Sequence, residues 1–233
     1  MTIGKKILNT DYILNDQKLE KISEIKDLGV IVDNRLTFDS HLNYVKNKAL
    51  KRLNYIIKST TSLKNPYTLR KLYITLVRPI ITYASYIWAP HQQCKIYELE
   101  KIQHILLRIL AKRSGMTFNR NNHDYTELAK KFNLCTIKSF FDSQDLIFLY
   151  KLLNNDLDVP KLLSKLKFKI PARNMRKNNI VFKIDLLSGI LNKKSIVSKM
   201  CNLANKNSEW CDLTECNKNK FKKTVKEKLY VFK

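Results

Sequence analysis

The sequence predicts a mainly α chain of α+β type, with short strands first and a long helical remainder. Three observations carry this. Glycine and proline number only 4 and 5 in 233 residues, too little punctuation for an all-β protein. Apolar residues make up 44 %, enough to build cores and too many for wholesale disorder. At Phe38 the apolar spacing changes from short runs between turn residues to steps of three and four.

Residues 1–37 read as strands. Tyr12-Ile13-Leu14 and the run from Lys18 to Ile22 flank Asn15-Asp16-Gln17, a hairpin signal. Leu28-Gly29-Val30-Ile31-Val32, bounded by Asp27 and Asp33-Asn34, reads as one short buried strand. Strands this short make a poor domain alone, so they are expected to form the edge of a larger sheet.

Residues 38–115 read as a helical bundle. Leu42, Val45, Ala49, Leu53, Ile56 and Ile57 mark the first helix, with Asp39 or Ser40 as its N-cap. Pro66 opens the second, whose face is Leu69, Leu72, Tyr73, Leu76 and Val77. Pro79 is expected to kink or divide it before it runs on through Ile80, Ile81, Tyr83 and Ala84 to Trp88. Ile96, Leu99, Ile102, Leu106, Ile109 and Leu110 mark a third helix, closed by Lys112, Arg113 and Gly115. Polar residues 116–123 read as a linker. Residues 124–233 read as a mostly helical basic extension: a short helix from Tyr125 to Phe132, a longer one from Ile137 to Asn154, an irregular stretch between Pro160 and Pro171, and a helical tail.

Charge narrows the function. Lys and Arg total 44 against 20 Asp and Glu, a net charge of +24. Residues 1–39 hold 6 basic and 7 acidic side chains, so the excess lies beyond them. Ser40 to Tyr97 contains no carboxylate, and neither does Val159 to Ile184. A folded domain that keeps acids off so long a stretch repels itself, and a polyanion relieves that repulsion. Nucleic acid is the predicted partner, through phosphate contacts from Lys48, Lys51, Arg52, Arg70, Lys71 and Arg78 on the first two helices and Arg108, Lys112 and Arg113 on the third. A membrane partner is not expected, because the helices oppose no strongly apolar Trp/Phe face to their lysines. Five scattered cysteines and the lack of an apolar leader after Lys6 point to an intracellular chain, nuclear or cytoplasmic and not secreted.

Catalytic chemistry finds little footing. Two-metal nucleotidyl transfer needs converging carboxylates, and the chain has no Asp-Asp pair. Asp142 and Asp145 read as surface or capping groups, and Asp156 and Asp158 as turn residues. Cys201, Cys211 and Cys216 lack the close spacing of a zinc site, so no catalytic residue and no metal site is predicted. Trp88, Tyr83 and Tyr86 could stack on bases, though Tyr83 and Trp88 fit a core better.

Several blocks then resemble one family. Lys26-Asp27-Leu28-Gly29-Val30 with Leu36-Thr37-Phe38-Asp39-Ser40-His41-Leu42 form the first. Leu72-Tyr73-Ile74-Thr75-Leu76-Val77-Arg78-Pro79, running on to Tyr83-Ala84-Ser85-Tyr86-Ile87-Trp88-Ala89-Pro90, form the second, with Leu99-Glu100-Lys101-Ile102-Gln103 and Leu107-Arg108 beyond. Together they resemble the segment after the catalytic palm in reverse transcriptases of non-LTR retrotransposons, of the jockey or CR1 kind. The likeness is strong from about Asp11 to Arg113 and weaker after it. It implies that residues 1–37 are the last palm strands, that the bundle is the thumb gripping a template–primer RNA–DNA hybrid or duplex, and that 124–233 is a C-terminal extension. It also implies that fingers, most of the palm and the Asp-Asp hairpin are missing, so that this chain alone is no enzyme. The two Mg2+ ions of the intact polymerase, and its palm and fingers as partners, would belong elsewhere. Two other classes remain open: a self-standing basic helical DNA- or RNA-binding protein, and a structural helical protein with no nucleic-acid role.

Overall fold

The computed structural model describes residues 1–4, 11–63, 65–116, 125–169, 181–184, 195–214 and 216–230. Most of the linker predicted over 116–123 lies outside them, as do Pro171 and its neighbours in the second acid-free run. The order is short strands and then helices, as the spacing predicts, with four strands in place of the three that the runs suggest.

Strands β1 (Ile13–Leu14) and β2 (Gln17–Lys18) form an antiparallel hairpin. Its two-residue turn, Asn15-Asp16, has φ of 48° and 58°, a left-handed pair that Asn and Asp tolerate best after Gly. The second hairpin corrects the sequence reading. Leu28 and Gly29 are not in a strand but form the turn between β3 (Glu24–Asp27) and β4 (Val30–Asp33). Both have positive φ, 45° and 87°, and Leu28 is 85 % exposed. Gly29 suits this backbone, which residues with a Cβ rarely adopt.

Among the four strands only Val30 is buried. The second hairpin is tied to the helices by polar contacts as well. The Ile31 N–H donates to His41 Nδ1 at 3.2 Å, and the Tyr83 hydroxyl donates to the Leu28 carbonyl at 2.9 Å. Burial, helped by the charge of Lys26, lowers the pKa of His41, so its imidazole is neutral and free to accept.

Helix α1 (Asp39–Ser59) buries His41, Leu42, Val45, Ala49, Leu53 and Ile56. Neither Asp39 nor Ser40 caps it. The N-cap is Phe38, with φ 57° and no side-chain cap, while the Asp33 carboxylate gathers the N–H groups of Arg35, Thr37 and Phe38 just ahead. Asp39 still sits in the first turn, where its charge favours the helix dipole.

Asn65 caps α2 (Pro66–Leu72), which passes through a π turn at Tyr73–Val77 into α3 (Arg78–Thr82). The π turn follows from Pro79, which has no N–H and whose ring crowds the carbonyl four residues back. Widening the previous turn relieves this: the Arg78 N–H bonds to the Tyr73 carbonyl five residues back. Leu69, Tyr73, Val77 and Ile81 stay buried in steps of four, whereas Leu76 is exposed. The helix does not run on to Trp88; it breaks at Tyr83-Ala84, where Ala84 has φ 50°, and resumes as α4 (Ser85–Trp88).

Helix α5 (Gln93–Arg113) ends at Gly115, φ 68°, with the Met116 N–H reaching back to the Ala111 carbonyl at 3.0 Å. Beyond lie α6 (Tyr125–Lys131), α7 (Ile137–Leu153), α8 (Pro160–Leu163), α9 (Ile196–Lys206) and α10 (Lys218–Leu229). Helices α1 and α5 run side by side in one direction. Lys95 pairs with Asp39 and Lys46 with Glu98 near their starts, and Arg113 reaches Ile57 and Thr60 at their ends.

Two apolar clusters result. The first takes Leu53, Leu69, Tyr73, Leu99 and Leu106 from the bundle and extends past the predicted linker to Leu128, Phe132 and Phe141. The second packs Leu146, Leu149 and Tyr150 against Met200, Phe221 and Val225. Helix α7 serves both, so its middle, rather than residues 116–123, marks the boundary between them. Each fully buried Leu or Phe here is worth about 1.5–3 kcal/mol of transfer free energy. Among the described residues no helix is long and apolar enough to cross a membrane.

Candidate nucleic-acid interface

The nine cations singled out in the sequence divide into two groups. Lys48, Lys51, Arg52, Lys71, Arg108 and Lys112 are exposed; Arg70, Arg78 and Arg113 are wholly or partly buried.

The exposed group is densest on α1. Its core-facing side is apolar, and the outer side carries Asn43, Asn47, Lys48, Lys51, Arg52, Asn54, Tyr55, Lys58 and Ser59. Lys48 lies over the Tyr44 ring, 5.6 Å from its centre. Lys51, Arg52 and Lys58 have no ion-pair partner among the described residues, and neither have Lys71, Arg108 and Lys112. Because α1 and α5 are parallel, Lys58 and Lys112 stand at the same end of the bundle, where the carbonyl ends of both helices favour cations. Two acids that lie beyond the acid-free stretch do meet lysines or backbone: Glu98 binds Lys46 at 2.7 Å and Lys101 as well, and Glu100 takes the N–H of Ile137 at 2.6 Å.

The second group corrects the expectation of a basic face. Arg78 is 8 % exposed and donates through Nη2 to the Cys135 carbonyl at 2.8 Å and to Cys135 Sγ at 2.9 Å. Its guanidinium also lies over the Phe140 ring, 4.9 Å from the centre. The physical reason is the π turn just before it. One inserted residue rotates the rest of the helix by about 100°, bringing a position that faces outward on a straight α-helix onto the core side. Arg70 donates to the carbonyls of Phe132 and Asn133, the latter at 3.0 Å. Arg113 reaches Thr60 Oγ1 at 3.1 Å and the carbonyls of Leu63 and Ile57, covering the end of α1.

Arg70 and Arg78 belong to a seam that sequence reasoning missed. Gln103, 2 % exposed, accepts from the Tyr73 hydroxyl at 3.3 Å and donates to the Cys135 carbonyl at 3.0 Å. Glu100 accepts the N–H groups of Ile137 and Lys138, capping α7 from a distance. Burial nevertheless pushes the Glu100 carboxyl above its ordinary range, against the pull of those two N–H groups and of Arg78. Only tertiary contact gives these residues meaning; no spacing along the chain signals it.

The aromatic candidates fare unequally. Trp88 is buried, packed edge-on against His41, with its indole N–H on the Tyr83 carbonyl at 2.8 Å. Tyr83, expected in the core, is 58 % exposed and fastens the β3–β4 turn. Tyr86 stacks on Phe148. Tyr55, which no motif along the chain marks, stands 65 % exposed on the basic side of α1.

The carboxylates also move. Asp145 is not a surface group: it is 1 % exposed and paired with Lys199 Nζ at 2.7 Å, an ion pair off hydrogen-bond alignment. Burial, opposed by Lys199 and reinforced by Asp142, raises its pKa to about 6. Asp142, half-buried beside it, is raised by burial too. Asp156 pairs with Lys218 at 2.8 Å. Cys201 and Cys211 are buried thiols, pushed by desolvation to about 11 and about 12. Among the described residues no three His, Cys, Asp or Glu side chains stand close enough together to hold a metal ion.

Fold and surface together define a mainly helical, strongly basic protein with an exposed cationic side on α1. No family model matches the chain, and no solved structure does. It is similar to the uncharacterized protein B0403.1 of Caenorhabditis elegans, 24 % identical over 116 residues, or 50 % of this chain and 56 % of that protein. The chain thus spans little more than half the length of the curated relative it matches.

Proposed function

We propose that this chain binds the phosphate backbone of nucleic acid through the outer side of α1, with Arg108 and Lys112 of α5 extending the contact. One observation carries the reading: Lys51, Arg52 and Lys58 share a helix side, have no internal ion-pair partner among the described residues, and lie in a stretch without a carboxylate. Cations spent neither on packing nor on acids are available to phosphates, and neutralising phosphates releases counterions. Such contacts position a strand and carry little base information.

The fuller form of the reading is a thumb-like fragment of a non-LTR reverse transcriptase that holds template–primer and extends nothing. Its support is the resemblance of the quoted blocks from Lys26 to Arg108, together with the order of short strands and then a basic bundle. On this reading the ligand is an RNA–DNA hybrid, and the metal-binding carboxylates belong to a segment upstream.

The test is fluorescence anisotropy of a labelled 20-base-pair RNA–DNA hybrid titrated with the full chain between 50 and 200 mM salt. Log affinity should fall linearly with log salt, with a slope reporting several released ions. The double variant Lys51→Glu, Arg52→Glu should weaken binding at least about tenfold at low salt and flatten the slope. Salt-indifferent binding, or a charge reversal without effect, would overturn the proposal.

A further inference from the structure

The outer side of α1 is more than a row of charges, because an aromatic ring stands inside it. Tyr55 is 65 % exposed, among the most exposed large side chains of the helical part. No hydrogen bond, ring contact or ion pair engages it among the described residues. Helical spacing sets Lys51 and Arg52 one turn before it, and Lys58 and Ser59 one turn after. Residues three and four apart on a helix have Cβ atoms about 5–6 Å apart, so Tyr55 stands between Lys51 and Arg52 on one side and Lys58 on the other.

An exposed tyrosine with no packing role leaves a large apolar ring face in water. A duplex gives that face nothing, since its bases are stacked inward and offer only backbone along the cations. A single strand offers both: phosphates for Lys51, Arg52 and Lys58, and an unstacked base with a π face for the ring. We propose, resting on the backbone-binding reading above and not on its hybrid-binding form, that Tyr55 is a base-stacking platform and that this side of α1 takes single-stranded nucleic acid in preference to duplex. Tyr44, on the same side, is unsuited to that role. Its ring is half-buried, stacked on His41 at 6.3 Å, and covered by the ammonium groups of Lys26 and Lys48.

Two labelled probes test this with the full chain at fixed salt: a 20-nucleotide oligouridylate and a 20-base-pair RNA–DNA hybrid. The native chain should bind the single strand the tighter. Tyr55→Ala should weaken the single strand about tenfold and leave both the hybrid affinity and the salt slope unchanged. Tyr55→Phe should restore the single-strand affinity, because the ring and not the hydroxyl does the stacking. In a Tyr55→Trp variant, emission from the new indole should be quenched by the single strand and unchanged by the hybrid. Equal binding of both probes by the native chain, an equal loss of both in Tyr55→Ala, or no loss of either, would overturn the platform while leaving backbone binding intact. Binding of neither probe by the native chain would overturn backbone binding itself. Unchanged far-ultraviolet circular dichroism checks that the exposed substitution leaves the helix folded.

Discussion

The outer side of α1 and the seam between α2–α3 and the start of α7 both hold basic side chains, yet they use the charge in opposite ways. At the seam Arg78 gives its hydrogen bonds to Cys135, Arg70 gives its own to Phe132 and Asn133, and Gln103 and Glu100 complete the set. On α1, the exposed Lys51, Arg52 and Lys58 have no side-chain partner among the described residues. The difference teaches that net charge overstates the binding surface. A cation that satisfies buried carbonyls is structural, and its removal should be felt in folding; a cation without a partner should be felt only in binding.

The strongest attempt to break this contrast is Arg78→Ala. It removes charged hydrogen bonds to Cys135, leaves the Phe140 face uncovered and opens a cavity, which together should cost about 3–4 kcal/mol in urea-induced unfolding. If the midpoint barely moved, Arg78 would be no different in kind from Arg52.

Asp145→Asn comes next and sets a titrating buried charge beside the permanently charged Arg78. Burial lifts the folded-state pKa of Asp145 to about 6, above its unfolded value, so protonation favours the folded chain. Its contribution is complete below about pH 4 and is lost as pH rises through about 6. The stability of the Asn variant relative to the native chain should therefore improve by roughly 2–3 kcal/mol between pH 4 and pH 7. Parallel pH profiles of the two proteins would show that Lys199 cancels the cost of burial.

A smaller effect is expected from Arg113→Ala, which loses long hydrogen bonds to Leu63, Ile57 and Thr60 at the end of α1. About 1 kcal/mol is the scale for such a cap, read from the same unfolding curves. Smallest of all, Lys51→Ala and Arg52→Ala should leave the unfolding midpoint where it is. A shift there would show that the outer side of α1 has a structural duty after all.

The same contrast explains what was legible along the chain. The long helices are readable because their apolar residues recur every three or four positions: Leu42, Val45, Ala49 and Leu53, then Leu99, Ile102, Leu106 and Leu110, are all buried. The β3–β4 hairpin is misread because its turn is made partly of Leu28, an apolar residue in a left-handed conformation, so pattern alone extends the strand through it. Arg78 is misread because a π turn shifts the helical register by one residue, and nothing short of the Pro79 carbonyl clash marks where that happens. Asp145 looks polar and therefore outward, but its partner Lys199 lies 54 residues further on. At the candidate interface, Lys48, Lys51, Arg52, Lys71, Arg108 and Lys112 are all identifiable by charge, whereas no pattern along the chain shows that nothing packs on the Tyr55 ring.

The parallel course of α1 and α5 has a kinetic corollary. Two helices that run in the same direction cannot close as a simple hairpin; the chain must first travel back through α2 and α3. Contacts such as Lys95 with Asp39, separated by 56 positions, therefore form only after that return path exists. Together with the return of α10 onto α7, where Tyr230 meets Ser143 across 87 positions, this late closure is an expected slow step of folding. It also sets α1 in place, and with it the row of cations and the tyrosine on its outer side.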